Sequence, residues 1–431
     1  MRFLYTAFFY LILPLILLRL FWRSFSVPGY AKRISERFGF VGSFSATASL
    51  LSNKKIIWIH TVSVGEFLGA LPLIRELQKN PTYKLVVTTT TVTGSERVTS
   101  TLGSAAEHFY APYDLPGSVG RFIKRIKPVL FIIMETELWP NTLAACQKNK
   151  IPSILINARL SEKSARGYAR FSWLTKPMLH NLSMASIQQE KDAQRFIALG
   201  LPKEKSFVSG NIKFDISLSQ DVQEKAELLR KDWDIDDSQL VIIAASTHQG
   251  EDEIILQAFI KVRAGNDPFC RSARLILVPR HPERFDSVAQ LCQQTSFTMV
   301  RRSRNESFAS ADILLGDTMG ELMLLFGLSH LAFVGGSLVH RGGHNFIEPA
   351  AWSLPLQSGE HLFNFSEVSQ LMLDANALKI VKSADELSSD WISLLNDGVL
   401  RKKRGVAAFQ VVENNRGALQ KTLNVIEQFL N

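Results

Sequence analysis

Short β-branched runs alternate with helical patterns along most of this chain, and the series runs twice. IIWIH (56–60), KLVVTTTT (84–91), LFIIME (130–135) and SILINA (153–158) are separated by segments of helical periodicity, including GALPLIREL after the first run and a helix from Ser95. After a charged, helix-like stretch from Asp221 to Asp237, the rhythm restarts with VIIAAS (241–246), RLILVPR (274–280), DILLGD (312–317) and LAFVGG (331–336). Apolar runs this short, with helices between them, are the strands of parallel sheets covered on both faces. The expectation is an α/β protein of two Rossmann-like domains facing a cleft. Its spans are residues 1–24 as a hydrophobic anchor, 25–215 as the first domain, and 216–431 as the second, with a final helix free to pack back on the first. A length of 431 residues fits two cores better than one.

The segment from Phe3 to Trp22 is almost uninterrupted aliphatic and aromatic sequence, broken by Thr6, Pro14 and Arg19, and is about long enough to cross a bilayer. No small-residue cleavage site follows it, so it reads as an uncleaved anchor and not a signal peptide. Arg23, Lys32, Arg33 and Arg37 after the segment outnumber Arg2 before it, which keeps the body of the protein on the cytoplasmic side. Pro14 and Arg19 leave open a helix lying in the membrane interface, and a buried core helix is the plain alternative.

The formal charge of +9 favours anionic partners. Helix-turn-helix, RNP and zinc-finger patterns are absent, so an anionic membrane surface or a phosphorylated substrate fits better than nucleic acid. Cys146, Cys270 and Cys292 form no C-x-x-C pair, which argues for a reducing compartment and against a disulfide or zinc framework.

In open α/β sheets ligands bind beyond the carboxyl ends of strands, so the residues just after each run matter most. IIWIH leads through TVSVGE into a helix at Gly65 or Glu66. A carboxylate in a first helical turn is stabilised as the anion and can accept a proton, although a favourable first-turn acid looks the same in sequence. Glu135 and Glu137 follow LFIIM and can hold sugar hydroxyls or tune the pKa of Glu66. Arg159, Lys163, Arg166 and Arg170, and the cluster RFIKRIK (121–127), can meet lipid phosphates or be solvated helix faces. Lys213 in GNIKFD lies near the domain junction, where it can reach an anionic substrate.

In the second half AASTH leaves Ser246, Thr247 and His248 at a strand end, and LVPRHPER leaves Arg280 and His281 at the next. GDTMGEL puts Thr318, Met319 and Gly320 before a helix whose free N–H groups suit a phosphate. GGSLVHRGGHNFIEP ends in Asn345 and Glu348, an acid able to bind ribose hydroxyls. Each piece is weak alone, and together they outline a nucleotide pocket. His340 and His344 are four apart, but two glycines between them argue against a zinc-binding helix. The acidic run Asp232 to Asp237 precedes a strand and reads as a solvated inter-domain connection, so no metal is expected.

Read in order, SVGE, VTTTTVTGSERV, METELWPN, NARLSEKSARGYAR, GNIKFD, STHQGEDE, LVPRHPER, GDTMGELMLL, FVGGSL and RGGHNFIEPA resemble the bacterial Kdo (3-deoxy-D-manno-octulosonic acid) transferases of lipopolysaccharide synthesis. The resemblance spans nearly the whole chain. It implies a GT-B fold, CMP-Kdo as donor held mainly by the second domain, a lipid A precursor as acceptor held mainly by the first, and no cofactor. It also implies residue roles: Glu66 as general base, Glu135 and Lys213 as transition-state stabilisers, and Pro279, Arg280, Met319, Gly320, Glu321, Asn345, Phe346, Ile347 and Glu348 as CMP-binding positions. Phe346 stands where the family usually has proline, and the stretch from Gln357 to His361 lacks the family's glycine-proline-histidine turn. The expected reaction is an inverting transfer of Kdo that releases CMP at the cytoplasmic face of the bacterial inner membrane. Other possibilities are a UDP-sugar transferase of the same fold and a non-catalytic anchored nucleotide-sugar-binding protein.

Overall fold

A computed structural model describes residues 2–30, 32–42, 54–236 and 238–430. The chain divides into two compact units, Met1–Asp215 together with Arg416–Asn431, and Ile216–Asn415. The first unit is built on seven parallel strands, β1 (Lys55–His60), β2 (Tyr83–Thr89), β3 (Glu107–Tyr110), β4 (Leu130–Met134), β5 (Ser153–Ala158), β6 (Met184–Ile187) and β7 (Ser206–Val208). Their order is β3-β2-β1-β4-β5-β6-β7. The second has β8 (Val241–Thr247), β9 (Arg274–Pro279), β10 (Met299–Arg301), β11 (Ile313–Leu315), β12 (Leu331–Val334), β13 (Leu356–Ser358) and β14 (Leu378–Ile380), in the order β10-β11-β9-β8-β12-β13-β14. Each order reverses once, between β1 and β4 and between β8 and β12, and these are the switch points at which open sheets bind ligands. The central strands β4, β5, β8 and β9 are buried along their whole length, as expected of apolar runs covered by helices on both faces.

Several boundaries differ from the sequence pattern for local reasons. The helix expected from Ser95 starts at Val92, because Thr91 caps it by accepting from the Gly94 N–H (3.0 Å). The closing segment is two helices, Gly398–Asn414 and Ala418–Leu430, parted at Gly417. Asp215 accepts from the N–H groups of Gly417 (2.6 Å) and Leu419 (2.7 Å), capping the last helix onto the first unit, where Thr422 meets Ser186 (2.9 Å). The acidic run is not an inter-domain connection. Asp232 ends the helix Gln220–Asp232, which lies inside the second unit, where Arg230 donates to Gly327 O (3.2 Å) and the Ala226 methyl fills the space at Gly327. Asp237 lies outside the described residues.

The N-terminal helix Arg2–Ser26 is long and apolar enough to cross a membrane. Its sides differ. Tyr5, Phe9, Ile12, Ile16 and Leu20, spaced three and four apart, are half-buried, while Phe3, Phe8, Leu11, Leu15, Leu18 and Trp22 are exposed. The half-buried stripe meets the first unit: Thr6 bonds Asn141 (3.0 Å) and Phe9 packs on Tyr113 (6.3 Å between centroids). Two of the cations counted toward membrane orientation are folded into this unit as well. Arg33 pairs with Glu36 (2.7 Å), and Arg37 is buried over the Tyr110 ring (4.2 Å to its centroid).

The second unit is fastened at its switch point by Glu251, a fully buried carboxylate. It accepts from the N–H groups of His248 (2.9 Å), Gly336 (2.7 Å), Ser337 (2.9 Å) and Leu338 (2.9 Å), tying the turn after β8 to the turn after β12. Gly335 leaves room for it, since a Cβ there would lie 2.7 Å from Ser246 O and 3.0 Å from Glu251 Oε2. Glutamine cannot accept from all these donors. Glu251→Gln should therefore cost about 3 kcal/mol and lower the melting temperature of the second unit by roughly 6–12 °C. Calorimetry of the full chain tests this, and an unchanged melting temperature would show that the clasp is not needed.

Candidate active site

β1 ends at His60, and the chain turns through Thr61, Val62 and Ser63 into the helix Val64–Gln78, with Glu66 in its first turn. Ser63 makes no side-chain cap. Glu66 reaches back instead, and its Oε2 accepts from the Val62 N–H (2.8 Å). Across the switch point β4 ends at Met134, and Glu135 takes a left-handed conformation (φ 57°), which costs a non-glycine residue on the order of 1 kcal/mol. That turn swings its carboxylate between two cations, Arg159 (3.0 Å) and Lys213 (3.3 Å). Arg159 therefore serves Glu135, where the sequence offered it to lipid phosphates.

Lys213 is delivered by a short turn. Asn157 Oδ1, at the end of β5, accepts from the Ile212 N–H (3.0 Å), and the Asn211 side chain accepts from the Lys213 N–H (3.0 Å). Its stem passes close over the helix that carries Glu66, at Gly69, where the lack of a side chain leaves room for it. A Cβ at Gly69 would meet Met134 Cε at 2.9 Å and Lys213 Cε at 3.3 Å. Glu66, Glu135 and Lys213 thus come together at the carboxyl edge of β1 and β4.

The electrostatics follow from this grouping. Burial, with the charges of Glu135 and Glu137, pushes the Glu66 carboxyl up to about 7, while the Val62 N–H and Lys213 hold it down. Glu137 is also raised, by burial and then by Glu135. A carboxyl poised near neutral pH, beside a cation and a bound carboxylate, can take a proton from a hydroxyl.

In the second unit Arg280 follows β9, its N–H donating to Thr247 O (3.0 Å). Its charge is felt by His344 and Glu348. Asn345 Oδ1 accepts from the Ile347 N–H (3.0 Å), and its Nδ2 donates to Glu348 (3.1 Å) in the helix Ile347–Ala351. Burial raises the Glu348 carboxyl, and Asn345 and Arg280 oppose this. His248 and His344 meet Nε2 to Nε2 at 2.9 Å, and burial lowers them to about 4 and about 3, so near neutral pH they form an uncharged pair.

Not every residue of the expected nucleotide set presents a side chain. Pro279 is buried at the end of β9. Phe346 and Ile347 are fully buried, with Phe346 against Phe365 (6.4 Å between centroids), so only their backbones are left to a ligand. Met319 and Gly320 are exposed after β11. Glu321 is engaged by Arg302 (2.7 Å) and Thr318, a partnership that the sequence did not signal. His340 faces His361 (3.4 Å) and His344 faces His248, so the two do not form a joint ligand pair. Among the described residues no group of three or more His, Cys, Asp or Glu side chains is arranged to hold a metal ion.

The family described as 3-deoxy-D-manno-octulosonic-acid transferase (kdotransferase) matches residues 32–216. A 3-deoxy-D-manno-octulosonic acid transferase of Haemophilus influenzae is 41% identical over 432 residues, covering 100% of this chain and 99% of the relative. Two solved structures share the fold at low identity. A UDP-GlcNAc 2-epimerase from Neisseria meningitidis bound to UDP-GlcNAc has a TM-score of 0.56 at 15% identity, covering 87% of this chain and 99% of its own. A glycosyltransferase from Rickettsia africae has a TM-score of 0.55 at 14% identity, covering 88% and 99%. The two parallel sheets and these likenesses make the fold GT-B. With identity of this order along its entire length, the chain belongs to the 3-deoxy-D-manno-octulosonic acid (Kdo) transferases, a family of glycosyltransferases.

Proposed function

We propose that the protein transfers Kdo from CMP-Kdo to a hydroxyl of a lipid A precursor by a single inverting displacement, with Glu66 as general base. The observation that carries this reading is the grouping of Glu66, Glu135 and Lys213 at the β1/β4 switch point, with the Glu66 carboxyl raised to about 7. Glu66 takes the proton of the acceptor hydroxyl, whose oxygen attacks the anomeric carbon as CMP departs. Lys213, held by Glu135, supplies positive charge toward the sugar acid. In the second unit Arg280 answers the leaving phosphate and Glu348 the ribose hydroxyls. The outward apolar face of the N-terminal helix lies in the membrane beside the first unit, on the cytoplasmic leaflet, where the acceptor is met.

Glu66→Gln removes the proton acceptor while keeping the size, so single-turnover transfer should fall roughly 10²- to 10⁴-fold with CMP binding intact. A raised carboxyl adds stability at low pH that is lost as pH rises through about 7, so the glutamine protein should melt no lower than the parent at pH 8. In the parent, kcat/KM should drop about tenfold per pH unit below about 7, because the base is then protonated. Near-normal turnover by folded Glu66→Gln would remove it from the mechanism.

Gly69→Ala should push the ends of Met134 and Lys213 aside by a few tenths of an ångström and reduce kcat by about two- to tenfold without changing CMP affinity, since small misplacements at a reacting centre are costly. Glu348→Ala should weaken CMP binding about ten- to a hundredfold, the cost of a lost charged hydrogen bond. Calorimetric titration reads both affinities, and an unchanged CMP affinity in Glu348→Ala would move the ribose site elsewhere.

A further inference from the structure

Between the N-terminal helix and the sheet of the first unit lies a cavity of about 250 Å³. Trp58 and Phe131 of β1 and β4 form its inner wall, Trp139 and Ala111 its sides, and Phe9 and Ile16 of the helix its roof. It is larger than the roughly 150 Å³ that suffices for benzene in an apolar protein interior. Its walls are mostly apolar, the Asp114 carboxylate among them being engaged by Asn141 and Thr142, yet two buried nitrogens without partners line it. Arg37 and His60 are 4% and 3% exposed, and among the described residues nothing pairs with Arg37 Nε or His60 Nε2. Trp58 Nε1 can only donate, and it donates to Thr88 Oγ1 (2.9 Å). The Thr88 hydroxyl also lies 3.0 Å from His60 Nδ1, and its two lone pairs can accept from both rings, so His60 Nε2 is an unpartnered buried nitrogen whose role follows the ring tautomer. Arg37 Nε, by contrast, can only donate. A buried guanidinium N–H without a partner in an apolar chamber calls for an acceptor oxygen attached to an apolar body.

The cavity also borders the catalytic turn. Thr90, which lines it, donates its N–H to Val62 O (3.2 Å), and the Val62 N–H is the group that holds Glu66. The roof is the inner stripe of a helix whose outer face is apolar and exposed, so the chamber lies where a hydrocarbon chain arrives from a bilayer. We propose that this cavity receives one acyl chain of the acceptor lipid, with the carbonyl oxygen of its ester or amide link accepting a hydrogen bond from Arg37 Nε. The chain anchors the acceptor so that its sugar reaches Glu66. This rests on the reading of the acceptor as an acylated lipid.

The test uses the full-length protein in detergent and two photoactivatable probes carrying the same diazirine-bearing acyl chain, one on a lipid A precursor and one on a glycerophospholipid. Labelled peptides are mapped by mass spectrometry. The precursor probe should label the segment holding Trp139, and the phospholipid probe should label only the outward face of the N-terminal helix. Ala111→Trp, which fills the chamber, should cut precursor labelling at least tenfold while leaving the melting temperature and CMP binding as in the parent. If that protein does not fold, Phe9→Trp fills the chamber from the helix side. Labelling confined to other surfaces, equal labelling of the Trp139 segment by both probes, or labelling there that is indifferent to the fillings overturns the proposal, since the cavity then holds water or bulk lipid only. Labelling as expected by a protein that transfers no Kdo would instead overturn the proposed reaction and leave the pocket standing.

Discussion

The parallel pairing of β1 with β4, and of β8 with β12, is the constraint on which the chemistry depends. At these two places neighbouring strands send their connections to opposite faces, leaving a gap ringed by backbone N–H groups. A carboxylate fills each gap, and the number of donors it finds decides what it can do. Glu251 finds four and becomes a fastening for two turns. Glu66 finds one, with two further carboxylates close by, and so keeps an oxygen able to receive a proton.

Much of this was legible in the sequence, because it depends on pattern and chain direction. The strand runs, the turn from IIWIH into SVGE, and the placement of Glu135 after LFIIM all report the carboxyl edge of a parallel sheet. What was not legible depends on long-range approach. Nothing local marks Arg159 as the partner of Glu135, or Gly69 as the opening through which the Lys213 stem passes, for these contacts join residues 24 and 144 positions apart. The aromatic pair Phe346 and Phe365 was hidden for the same reason: a residue inside a binding motif gave no sign that its side chain belongs to the core.

The Glu251 clasp shows the limit of motif reading from the other side. STHQGEDE carries a likeness to a family, but the role of the glutamate within it follows only from the turn after β12, which points its N–H groups at one spot. The need for glycine at residue 335 has the same origin, since the carboxylate occupies the place where a side chain would sit.

The stripe of the N-terminal helix that lies on the first unit has a consequence in time. Phe9 packs against Tyr113, and Thr6 bonds Asn141. During synthesis about 100 residues must be added after Phe9 before its partner exists, which takes on the order of 5–20 s at typical elongation rates. Through that interval the inner stripe is as unprotected as the outer face, and the whole circumference of the helix is sticky. Until Tyr113 and Asn141 have been made, whatever shelters the outer face of the finished helix has to shelter its inner stripe as well.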